Sequence, residues 1–165
     1  MSSFVIWSVV AIVAVASVAD VRTRRIPNVL TVPAMLAGLA VNTWLGGFAG
    51  LGHAAAGLLV AVLVVGGLCW FRTMGFGDLK LCAAVGAWIG PSELLFALLI
   101  TAMAGGVMAV AYALWKGKLG VLLDRSSNLI RGSGSAVADV RDPAALAIPY
   151  APAIAFGVVF SFFAS

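Results

Sequence analysis

Six apolar runs separated by breakers make up most of this chain, at about residues 3–19, 29–45, 52–71, 79–90, 93–115 and 146–164. A helix needs about 20 predominantly apolar residues to cross a hydrocarbon core about 30 Å thick. Only 10% of the residues are charged and the mean hydropathy is +1.14, whereas soluble domains carry about 25% charge. Six spans within 165 residues leave no room for a soluble domain of useful size. The sequence therefore predicts an all-α, polytopic membrane protein of about six transmembrane helices, with residues 1–165 as one integral-membrane domain and a cytoplasmic linker at about 116–145.

The first run could be taken for a signal peptide, with Ser17-Val18-Ala19 as its cleavage site. No Lys or Arg precedes it, however, and Arg22, Arg24 and Arg25 follow it, the reverse of the charge order a signal peptide needs. It is read as a first membrane helix. All ten basic residues fall in the first, third and fifth linkers: Arg22, Arg24 and Arg25, then Arg72 and Lys80, then Lys116, Lys118, Arg125, Arg131 and Arg141. By the positive-inside rule these linkers face the cytoplasm and both termini face away from it. The net charge of +4 is thus first a topology signal, with attraction to anionic membrane lipid second. Nucleic-acid binding is disfavoured, because the basic residues flank spans and form no separate domain.

In the fifth linker, Leu119 to Ile130 is modestly amphipathic and reads as an interfacial helix, and Gly132 to Ser135 reads as a flexible tether. Small residues, among them Gly86 and Gly90, suit close helix packing. No repeat of fixed period is visible. Cys69 and Cys82 are too few for a disulfide framework or a four-cysteine zinc site, and His53 is the sole histidine, so neither metal nor cofactor is expected.

The carboxylates separate by position. Asp124, Asp139 and Asp142 lie among arginines in the long linker and read as solvated, and Glu93 opens a helix, where it complements the positive dipole end. Asp20 and Asp78 remain, at the cytoplasmic ends of the first and fourth spans. The run behind Asp78 has 12 residues before Gly90-Pro91, about 18 Å of helix, too short to span alone. Either its helix begins earlier and draws Asp78 below the surface, or non-helical backbone enters the membrane, and both bury an ionisable group. Gly75 and Gly77 bracket Phe76 before it, where glycine permits positive φ and close backbone approach to a peptide or a neighbouring helix. A surface aspartate paired with Lys80 or Arg72 is the other reading, and both stand on these grounds.

Asp20 could pair with Arg24 four residues on, but Pro27 restricts Ile26 to extended backbone and ends the helix, leaving Asp20 near its terminus. Two carboxylates from different helices at one depth can share a proton, the charged member taking a proton from water while the neutral one donates to a carbonyl. A small ion-coupled transporter with Asp20 and Asp78 along a polar path is the alternative, although such proteins place their sites at the midplane between repeats. A serine protease would need a histidine within the membrane, and His53 reads as interfacial at the opposite face. Cys82, four after Asp78, reads as packing beside it.

Three stretches together resemble the bacterial type IV prepilin leader peptidases, a family of intramembrane aspartic proteases. Gly75-Phe76-Gly77-Asp78-Leu79-Lys80 looks like the family's Gly-x-Gly-Asp-x-Lys motif. The segment from Asp20 through Pro27 and Asn28 resembles its first-aspartate segment, and Ile148-Pro149-Tyr150-Ala151-Pro152 resembles its Pro-aromatic-x-Pro motif. The resemblance runs over nearly the whole chain. It implies cleavage of the basic leader of a prepilin or pseudopilin at the cytoplasmic membrane face, just before the precursor's hydrophobic helix. Asp20 and Asp78 would be catalytic, with Gly75, Gly77, Lys80, Pro27, Asn28, Pro149 and Pro152 shaping the site. No Cys-x-x-Cys module follows Pro27, so the chain looks like the short branch of tight-adherence (Flp-type) pilus systems, and methyltransferase activity is not implied.

Overall fold

The computed structural model describes residues 3–23, 26–70, 74–115 and 150–164. Among them the chain is all helical: α1 (Ser3–Thr23), α2 (Asn28–Trp70), α3 (Phe76–Ile89), α4 (Pro91–Trp115) and α5 (Ala151–Ala164). α1, α2 and the 91–108 portion of α4 are each long and apolar enough to cross a membrane, and the chain is a membrane protein. The linker at 116–145, with its interfacial stretch, its Gly-Ser run and Asp124, Asp139 and Asp142, lies outside the described residues, as do Arg24, Arg25, Arg72 and Pro149.

The uncharged second linker is tighter than the sequence suggests. α2 is helical through residues 46–51 except at Gly47, whose φ of 58° and ψ of −140° are closed to most side chains. This is a reversal and not a bend. Gly38 packs against Trp88 and Gly57 against Gly86, so positions 19 apart in α2 meet positions two apart in α3. A straight helix would separate Gly38 and Gly57 by about 28 Å. The two arms, 28–46 and 48–70, therefore lie side by side along α3, and the described residues form six rods.

α3 is the central rod. Every residue from Leu81 to Ile89 is buried, whereas a helix at the edge of a bundle buries only a stripe. At 14 residues, about 21 Å, it is shorter than the hydrocarbon core is thick, ending where Gly90 breaks the helix before Pro91. Small residues permit that enclosure. A Cβ on Gly86 would stand 2.6 Å from the carbonyl oxygen of Gly57, and one on Gly57 would collide with that of Gly86. Lipid supplies no hydrophobic drive between helices, so such backbone contact and interhelical hydrogen bonds hold the rods together. The Trp88 indole N–H donates to the Ala34 carbonyl at 2.7 Å. Asn42 Nδ2 donates to the carbonyls of Ala87 at 3.0 Å and Trp88 at 3.2 Å, satisfying acceptors that the end of a helix leaves open.

At that same end Gly90, with φ 83°, turns the chain into α4 against the imidazole of exposed His53, away from both aspartates. Glu93 lies in the first turn of α4, as the dipole argument requires. Exposed tryptophans mark both ends of the bundle, Trp70 and Trp115 at one and Trp44 beside the Gly47 reversal, the distribution expected where rings meet lipid headgroups.

Candidate active site

α1 buries a stripe of Val5, Val9, Val13, Ala16 and Asp20, so the helical spacing that aims four apolar side chains into the bundle aims Asp20 inward as well. Asp20 is only 8% exposed. Its helix runs three residues further, to Thr23, and Pro27 then caps α2 by accepting the N–H groups of Leu30 at 3.0 Å and Thr31 at 3.3 Å. Ile26, held extended before the proline, is buried.

The partner of Asp20 comes from the far end of the chain. Its Oδ2 accepts the backbone N–H of Ala151 at 3.2 Å, the first residue of α5. A helix start carries unsatisfied N–H groups and the positive dipole end, and a carboxylate there answers both. Tyr150 is the capping residue, its carbonyl accepting from Ala153 and Ile154. Pro152 sits in the first turn, where its missing N–H leaves no intrahelical acceptor unpaired. The late proline motif was legible in the sequence, but nothing there marked the Ala151 N–H as the group that holds Asp20.

Asp78 lies in the first turn of α3, half-buried, so of the two routes foreseen its helix begins earlier, at Phe76. Its backbone N–H donates to the Gly75 carbonyl at 3.1 Å, and α3 starts at the same end of the bundle as the last turns of α1, since Gly77 packs against Ile26. Neither glycine uses the positive φ open to it. Gly75 has φ −80° and ψ 146°, ordinary extended backbone, and Gly77 is helical; positive φ occurs among the described glycines only at Gly47 and Gly90. Their surroundings are at ordinary contact distance. A Cβ on Gly75 would lie 3.4 Å from Asp78 Oδ2, and one on Gly77 would lie 3.5 Å from Ile26.

Lys80 turns instead to Asn28: its Nζ donates to Asn28 Oδ1 at 2.8 Å, joining the first turns of α2 and α3. Cys82 is fully buried in α3, in keeping with a packing role. Cys69, which the sequence reading left without a role, reaches from the end of α2 with Sγ 3.5 Å from the Gly75 carbonyl and so ties down the turn before Asp78. Asp20, Pro27, Asn28, Gly75, Gly77, Asp78, Lys80 and Pro152 thus gather at one end of the bundle, contributed by four helices and their connections. Among the described residues no group of three or more His, Cys, Asp or Glu is placed to hold a metal ion.

The chain matches the model of the type IV leader peptidase family over residues 7–110. It is similar to a prepilin leader peptidase/N-methyltransferase of Burkholderia pseudomallei, 38% identical over 110 residues covering 62% of this chain and 35% of that one. Proteins of the same name from Aeromonas hydrophila and Pseudomonas aeruginosa are 36% identical over 115 residues (66% of this chain, 38% of that one) and 31% identical over 111 (63% and 37%). The matched region spans a little over a third of these relatives. No solved structure gives a significant match. The family match takes in both aspartates and five of the six rods at least in part, and the chain belongs to the type IV leader peptidase family.

Proposed function

We propose that this protein is an aspartic endopeptidase that removes the leader of a prepilin or pseudopilin, with Asp20 and Asp78 as its catalytic pair. The observation that supports the reading is that α1 and α3 bring Asp20 and Asp78 to the same end of the bundle, where Asp20 accepts the N–H of Ala151 and Gly77 packs against Ile26. The pair works singly protonated. The ionised carboxylate takes a proton from water, whose oxygen forms a bond to the scissile carbonyl carbon while the protonated carboxyl donates to the carbonyl oxygen. Collapse of the tetrahedral intermediate breaks the C–N bond, and the leaving nitrogen takes up a proton, which frees the new amino terminus. Gly75 and Gly77 leave the approach to Asp78 clear of side chains, and the bond from Lys80 to Asn28 fixes the two helix starts that flank it.

The one-sided basic linkers support a topology in which this end of the bundle faces the cytoplasm from the bacterial inner membrane, with six spans and both termini on the other side. The proposal includes the short, Flp-type branch, on the sequence reading that no Cys-x-x-Cys pair lies between Pro27 and the second span. The transporter alternative is disfavoured by the same geometry, because the carboxylates sit at one end and not at the midplane. The test is co-expression with tagged prepilin precursors, followed by mass determination of the new amino terminus. Cleavage at the leader boundary is expected, and uncleaved precursor with every prepilin and pseudopilin of the source organism would refute the proposal.

A further inference from the structure

Beside the aspartates, between the second arm of α2 and α4, a groove of about 290 Å³ runs along the bundle. Its lining includes Val65 and Leu68 from α2 and Leu98 and Ala102 from α4, with Met74 and Tyr150 at one end. No lining residue is charged. Thr101, the polar one along its wall, donates its hydroxyl to the Ala97 carbonyl at 2.7 Å. The groove also opens sideways where a bilayer would lie, since Leu95 is 49% and Leu99 60% exposed.

That end leads to the carboxylates. Met74 precedes Gly75, the residue against Asp78, and Tyr150 precedes Ala151, whose N–H holds Asp20. The phenol of Tyr150 rests against Gly105 of α4. An occupant must therefore be apolar along the groove, and beyond Met74 and Tyr150 its continuation approaches the carboxylates that Gly75 and Ala151 touch. That distribution complements a peptide whose apolar segment adjoins an uncharged or cationic one. At this volume, the small end of ligand pockets, the groove takes apolar side chains of about one helical turn and not a whole helix.

We infer that this groove is the subsite for the apolar segment of the precursor next to the scissile bond, entered laterally from the bilayer, with Tyr150 and Ala102 setting which side chains fit. The inference rests on the peptidase reading above.

The test uses the full chain in phosphatidylethanolamine–phosphatidylglycerol vesicles with a tagged prepilin precursor. Ala102→Phe fills the groove and lowers kcat/KM at least tenfold, through KM. A second precursor, with alanines replacing the bulky apolar residues of the turn beside the scissile bond, recovers most of that loss. Met103→Phe, one residue on and exposed outside the groove, changes neither. p-Benzoylphenylalanine in place of Leu99, in the Asp78→Asn background, crosslinks to uncleaved precursor. Equal losses on both precursors, no loss on either, or crosslinks only to lipid or to a second copy of this chain would overturn the inference. Failure of the unsubstituted protein to cleave any precursor is read before any variant and overturns the peptidase reading itself.

Discussion

Replacing Asp20 and Asp78 by Asn, singly and together, separates a catalytic pair from two unrelated acidic side chains. General acid–base assistance by one group is worth roughly 10²- to 10⁴-fold in rate. Two independent groups would multiply, giving the double variant a loss of roughly 10⁴- to 10⁸-fold. A pair acting as one unit loses no more than either single variant, and the difference is a coupling energy of roughly 2.7–5.4 kcal/mol. Folding can be checked separately, because the amide side chain of the Asp20→Asn variant keeps an oxygen for the Ala151 N–H.

That substitution gives up only the charge at the start of α5, about 0.3–1 kcal/mol. Asp20→Ala also strands that buried N–H, at about 1–3 kcal/mol, and should melt lower than the Asn variant. The assay is single-turnover cleavage of a tagged precursor at matched membrane abundance, read by mass of the new amino terminus across pH. The parent enzyme should show a bell-shaped profile, because rate follows the singly protonated pair and falls when either carboxylate leaves its required state. Substantial cleavage by either Asn variant, or a double variant far worse than both singles, would refute the reasoning.

Gly86→Val should lower thermal stability in detergent by about 1–3 kcal/mol, because its side chain meets the Gly57 carbonyl and Leu94, whereas Gly67→Ala, with nothing within 4 Å, should be near neutral. Cleavage should proceed without added metal and withstand chelator, since the chain has one histidine and two cysteines; loss on chelation and recovery with zinc would contradict the two-aspartate mechanism. Accessibility tags at residues 20–28, 72–78 and 120–142 should report the cytoplasm and a tag after Ser165 should not, and a cytoplasmic carboxyl terminus would break the common depth assigned to Asp20 and Asp78.

The apolar runs and their breakers determined the helical class, the approximate rods and the two aspartates that stand out from the other carboxylates, because hydropathy and charge act locally and are written in consecutive residues. The segment from Asp20 to Asn28 and the turn before Asp78 were likewise legible as motifs. Tertiary structure decided the rest. That α3 is the enclosed rod follows from Gly86 and Trp88 meeting Gly57, Gly38 and Ala34 on the two arms of α2, and no local pattern in a uniformly apolar segment distinguishes a face toward lipid from a face toward protein. The reversal is concentrated at Gly47, although Gly46, Gly50 and Gly52 offered the same freedom, and only the packing of both arms selects among them. The hold of Ala151 on Asp20 joins positions 131 apart through a backbone N–H, a group every residue except proline carries and no sequence can single out until the helices are packed.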